Sequence, residues 1–185
     1  MRKFVLWIFI YLLAGFLLTL CFNEAMASTG GKRADELVLS DYVDYFHQTM
    51  RPSYAKKAKR LIPPLIQYAQ KHNVDPLLMG VVFSFESSWR NFEGDLGERG
   101  PGHIMPKKGK PWRVIEGIKY DLSTLDGQID GACAHMRHSL DSCDTMAQVF
   151  AHYGSGSRCQ LGPVAMSKMK FRAQYYEKMK KKFRQ

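Results

Sequence analysis

The stretch that most constrains this chain runs from Asp75 to Trp89, where a helix opening is followed by an almost uninterrupted apolar run. Asp75 offers a side-chain oxygen to the free amides of a first turn, and Pro76 takes the position where a missing N–H costs nothing. Leu77, Leu78, Val81, Val82 and Phe85 then recur at intervals of three and four, the spacing of an apolar stripe along a helix. Glu86 follows at once, in what this pattern makes the last turn, and beyond Trp89 the chain becomes glycine-rich. A carboxyl at the negative end of a helix, beside apolar residues, is expected to favour its protonated form. That is the form needed to protonate a glycosidic oxygen as it leaves. The competing role is structural, a glutamate that only closes a helix with an ion pair.

The remaining segments also have helical spacing. Leu37, Val38, Tyr42, Val43 and Phe46 predict a helix over Asp35–Met50, after a flexible start at residues 28–34. Arg51-Pro52-Ser53 interrupts it, a short basic helix reaches Leu61, and Pro63-Pro64 opens the next, which runs from Leu65 to Lys71. Leu122, Leu125, Ile129, Ala132, Cys133, Met136 and Leu140 keep a stripe through Asp141, and Thr145–Tyr153 gives another helix. No long alternation of period two and no repeat occurs, so the fold class expected is all-α, with at most a short irregular hairpin inside Gly94–Trp112. Lys107-Lys108-Gly109-Lys110-Pro111 reads as a solvated surface loop. Trp112 beside it is either a sugar-stacking ring or an anchor for the loop. The last helix carries six lysines and two arginines over Ala165–Gln185, with a frayed basic end at residues 179–185 or an amphipathic face suited to anionic lipid.

At the other end, Met1-Arg2-Lys3, the apolar run Phe4–Phe22 and Ala25-Met26-Ala27 compose a secretory signal peptide over residues 1–27, with an uncleaved anchor as the alternative. Leu20 before Cys21 is too large for a lipoprotein cleavage site. The domain is therefore expected to be exported, to the periplasm, and to be held at the inner membrane if the segment stays. Without residues 1–27 the chain keeps 25 basic and 16 acidic side chains, a net of about +9 that favours an anionic partner. Export and the lack of any helix-turn-helix, zinc or RNA-sheet signature argue against nucleic acid. Three cysteines then remain where disulfides persist. Cys143 and Cys159 flank the Thr145–Tyr153 helix in irregular segments and are the expected bridge, leaving Cys133 a buried thiol. None of the three has metal-ligand spacing with a histidine, so no metal or cofactor is expected.

Glu86-Ser87-Ser88-Trp89, followed by Gly94-Asp95-x-Gly97, Gly100 and His103-Ile104-Met105-Pro106, resembles the first signature of the lytic transglycosylases of SLT type, with their lysozyme-like fold. Gln128-Ile129 with Gly131-Ala132, and Ala151-His152-Tyr153-Gly154-Ser155-Gly156, resemble two later signatures, so the likeness extends from about Ile62 to Tyr176. It departs from the usual pattern at Pro101, Gly102 and His103, where Leu, Met and Gln are common, and at Gly154, where Asn is common. The resemblance implies a lysozyme-like domain over residues 61–178 behind a helical extension at 28–60. It implies Glu86 as the catalytic acid/base and Ser87, His103, Met105, Gln128 and Tyr153 as substrate contacts. It further implies cleavage of the bond between N-acetylmuramic acid and N-acetylglucosamine in peptidoglycan, with a 1,6-anhydro product. Small wall enzymes of this kind commonly serve secretion or conjugation complexes of the envelope, which makes such a complex an expected partner. The alternatives are a hydrolytic muramidase, in which Asp95 would activate water, a weakly active wall-binding module, and a membrane-disrupting cationic protein.

Overall fold

The computed structural model describes residues 31–48 and 52–184, and among these the fold is mostly helical. The chain divides into Met1–Asp35 and Glu36–Gln185, and the core and the site lie in the second unit. The expected signal segment lies outside the described residues. The helices are α1 (31–48), α2 (Pro52–Lys59), α3 (Ile62–Lys71), α4 (Pro76–Glu86), α5 (Leu125–Ser142), α6 (Met146–Ser155) and α7 (Pro163–Phe183), with strands β1 (Trp112–Ile115) and β2 (Ile118–Asp121) before α5.

Helix α4 occupies the centre. Its opening is as expected, with Asp75 accepting from the Leu77 amide at 2.9 Å. The burial pattern is not: Pro76 through Ser84 are all buried, while Phe85 is only partly covered. A helix apolar on every side is an interior helix rather than one resting on a core, so the stripe read from the sequence is one sector of a fully enclosed rod. Helices α3 and α7 pack directly on it. From α1, Tyr42 hydrogen-bonds the Ser84 hydroxyl at 2.7 Å across the buried interface.

Two expected boundaries change. Leu39, Tyr42 and Val43 belong to the same core as Leu77 and Phe83, so residues 36–48 and 52–60 are part of this domain rather than an extension. Residues 31–34 are helical rather than loose. The expected frayed end is also ordered: α7 continues to Phe183, Met179 is fully buried, and the Phe183 ring meets Tyr42 edge-on at 6.1 Å. Tyr176 and Arg184 both hydrogen-bond Asp75, which fastens α7 to the start of α4.

The hairpin lies at Trp112–Asp121, after the glycine loop rather than inside it. Its two-residue turn, Glu116-Gly117, has φ of 48° and 80°, the left-handed pair that matches strand twist in a tight hairpin. The Trp112 ring has Lys107 at 5.0 Å and Lys119 at 4.9 Å, which makes it the anchor of the basic loop.

Helix α6 opens with a reciprocal capping box between Thr145 and Gln148 and ends at Gly156 in the left-handed conformation. The expected disulfide joins Cys143 to Cys159 across it, and Cys133 is a buried free thiol. Closing this loop of about 15 residues stabilises by about 3 kcal/mol in the chain-entropy model. Cys159→Ser is therefore expected to lower the thermal midpoint by about 6 to 12 °C. A scanning-calorimetry shift under about 2 °C would show that the bridge constrains little.

Candidate active site

Glu86 is the last residue of α4, and the backbone bends sharply just beyond it. Ser88 and Trp89 have φ of 53° and 62°, so the chain reverses and the indole folds back to donate to Ser84 Oγ at 2.9 Å. With His103 at φ 50°, three of the five left-handed non-glycine residues described lie around the end of α4. Backbone held in this region costs of order 1 kcal/mol or more per residue and persists where packing demands it. Here the packing turns the chain away and leaves Glu86 facing a cavity of about 370 Å³.

That cavity is bordered by Glu86, Glu98, His103, Met105, Arg113, His135, Tyr153 and the Gly154-Ser155-Gly156 turn. It thus brings together four of the residues singled out in the sequence, Glu86, His103, Met105 and Tyr153. Tyr153 is buried and its hydroxyl donates to the Gly102 carbonyl at 2.8 Å. Burial first, and the Glu86 charge second, hold this phenol well above its ordinary range, so the proton stays on. His103 packs edge-on against Phe92 at 4.9 Å, and its Nε2 is buried without a protein partner. Met105 is more than a third exposed at the cavity rim.

Ser87 and Gln128 stand behind the wall rather than in it. The Ser87 hydroxyl lies 2.8 Å from the Pro101 carbonyl, to which it donates, and accepts from the Arg90 amide at 3.1 Å, so it ties the glycine loop to α4. Gln128 is buried and donates to the Leu122 carbonyl at 2.9 Å. A Cβ at Gly100 would come within 2.6 Å of the Gln128 Cβ, and Gly100 also has φ 76°, so the loop lies directly on Gln128. Both residues shape the loop from the protein side, where they were expected to meet substrate. Asp95 is exposed and outside the lining, whereas Glu98 is in it, its carboxylate accepting from the Leu96 amide at 3.1 Å.

The surroundings of Glu86 correct the expectation of purely apolar neighbours. Arg172 of α7 donates to Glu86 Oε1 at 2.5 Å, with its guanidinium 5.1 Å from the centre of the Phe85 ring. The side chains of Arg172 and Glu86 are 21% and 19% exposed, so the pair is largely shielded from water. Oε2 has no hydrogen-bond partner among the described residues. The sequence marked α7 only as a basic closing helix, because a lone arginine among six lysines carries no spacing signal. Compared with family models, curated proteins and solved structures, the chain matches none.

In the wall of the cavity, His135 bonds the Tyr153 carbonyl through Nε2 at 3.1 Å, which makes that nitrogen the donor. Burial and then the nearby Arg113 charge lower its pKa to about 4, so it is neutral near pH 7. Ser139 donates to the His135 carbonyl at 2.8 Å and so accepts from His152 Nδ1 at 2.9 Å. This polar layer fixes the end of α6, and with it Tyr153. The cavity thus holds one free carboxylate oxygen, a protonated phenol, a neutral imidazole at His135 and the Arg113 guanidinium.

Proposed function

We propose that the chain is a peptidoglycan lytic transglycosylase with a lysozyme-like helical domain, exported to the periplasm. The observation that carries this is Glu86 at the end of an interior helix, in one cavity with Tyr153, with Oε2 unengaged. Glu86 protonates the oxygen linking N-acetylmuramic acid to N-acetylglucosamine through Oε2. The acetamido group of the muramyl sugar stabilises the cation that forms. Glu86 then accepts the proton of the C6 hydroxyl, which closes the 1,6-anhydro ring, so no water is consumed. Tyr153 holds the Gly102 carbonyl and keeps the glycine loop against the cleft.

Arg172 occupies Oε1 throughout and aims the carboxyl, leaving the other oxygen for the proton. A second groove, about 630 Å³ and bordered by Lys107, Lys108 and Lys110, shares Met105 with the cavity and gives the strand a path beyond it. Envelope secretion or conjugation complexes and an anionic membrane surface remain the partners proposed from the resemblance and the basic charge.

Glu98 in the same cavity favours one other reading, hydrolysis with Glu98 as the second carboxylate. Mass spectrometry of products from purified wall separates the two. Lysis by the proposed route gives muropeptides lighter by one water than the hydrolytic products, and reducing ends in every product would overturn it.

A further inference from the structure

Arg113 is a cation in the cavity with no counter-charge. It projects from β1 into the lining, where its Nη1 donates to the Met105 carbonyl at 3.0 Å, and no carboxylate of the described residues pairs with it. Both acids that share the cavity are engaged elsewhere, Glu86 by Arg172 and Glu98 by the Leu96 amide. Burial is the first cause of a lowered Arg113 pKa, and only the Tyr153 oxygen opposes it. A half-buried guanidinium left in that state is costly in the free protein and gains most from an anion that arrives with the ligand.

The wall opposite leaves room for one. A Cβ at Gly154 would meet nothing within 4 Å, and one at Gly156 would touch only the Arg113 Nη2 at 3.5 Å. Gly156 thus lies beside the guanidinium without a side chain to cover it, and Gly154, in the same lining, leaves open space. One cavity of about 370 Å³ therefore holds both a carboxyl, Glu86, and a fork-shaped cation, Arg113.

We propose that Arg113 binds a carboxylate carried on the muramyl residue, and so sets which glycan strands are cut. The proposal rests on the wall-lytic function above. Two sources share this chemistry. One is the lactyl ether of N-acetylmuramic acid, whose carboxylate is free once the stem peptide has been removed. The other is the first free carboxylate of the stem peptide itself. Arginine suits either, because its planar fork matches a carboxylate with two parallel hydrogen bonds.

The test uses the full chain as wild type, Arg113→Met and Arg113→Lys, on three strands: peptide-free, peptide-free with the lactyl carboxylate converted to an amide, and peptide-bearing. Wild type is expected to cleave a carboxylate-bearing strand with kcat/KM about tenfold or more above the amide, and Arg113→Met should erase that difference without further loss on the amide. Arg113→Lys should recover part of the preference. Whichever carboxylate strand loses rate in Arg113→Met names the source. Equal rates for wild type on all three strands, or an equal loss for Arg113→Met on all three, would overturn the proposal, because a residue that only ties β1 to the Met105 loop ignores the substrate's charge. Should no strand be cut by any form, calorimetric binding of a muramyl disaccharide and its amide keeps the two questions apart. Arg113-dependent preference for the acid would uphold the site while removing the lyase, and absence of preference would remove both.

Discussion

Replacing Glu86 with Gln is expected to lower peptidoglycan turnover by about 10³-fold or more while leaving a folded protein. Glutamine has almost the same shape, and its carbonyl oxygen still accepts from Arg172, which now donates to Oε1 at 2.5 Å. What is lost is the only oxygen of the pair able to carry a proton to the leaving group and take one back. The measurement is turbidity loss of purified wall together with the far-ultraviolet melting curve of the variant. A collapse of turnover with a thermal midpoint near that of wild type supports the assignment. Activity within about tenfold of wild type would remove Glu86 from the chemistry. Lysis of vesicles that is indifferent to the substitution would instead favour a cationic membrane-disrupting protein, the role suggested by the basic closing helix.

Acid is expected to destabilise the domain through the buried histidines at the cleft wall and behind it, with His135 the largest contributor. In the unfolded chain an imidazole binds its proton near pH 6.5, whereas in the fold burial lowers the His135 pKa to about 4. Between these values the unfolded chain holds a proton that the folded one refuses, so stability is intact above pH 6.5 and is lost as pH falls toward 4. The full loss from this group is about 3 kcal/mol. His152, also lowered by burial, adds in the same direction, while His138, 2.8 Å from Glu116, carries a carboxylate partner at the surface. Urea unfolding at pH 7 and pH 4 measures the total. His135→Gln keeps an amide donor for the Tyr153 carbonyl but cannot titrate, so its loss over that window should be smaller by about 3 kcal/mol than that of wild type. An identical loss in the two proteins would show that other groups control the acid transition.

Gly102 shows how far one residue can be read from the chain. In the resembled pattern its place is held by methionine, and the sequence presents the change only as a departure. In the fold a Cβ there would lie 2.7 Å from both the Tyr153 hydroxyl and the Ala132 methyl, and 3.3 Å from Phe83. The Gly102 carbonyl is also the acceptor for Tyr153. Glycine is thus demanded by α5 and α6, elements more than twenty residues away in the chain, which no local pattern records. The same holds for Ser87 and Gln128. Their types suited sugar contacts, but the Ser87 hydroxyl is held by Pro101 and the Gln128 amide nitrogen by Leu122, with Gln128 Oε1 buried and unpartnered.

The chain by itself determined the helical elements, the capped opening of α4, the position of Glu86 at its end, the Cys143–Cys159 bridge and the burial of Cys133, because these depend on neighbours a few residues apart or on the compartment. Only the tertiary structure decided that α4 is enclosed on all sides, that the first and last helices share its core, that Arg172 meets Glu86, and that Arg113 lines the same cavity without a carboxylate partner among the described residues. Arg172 and Glu86 are separated by 86 positions, and charges so distant in sequence meet only when packing brings their helices together. Periodicity reports which face of a segment turns inward, whereas the pairing of charges depends on which segment waits there.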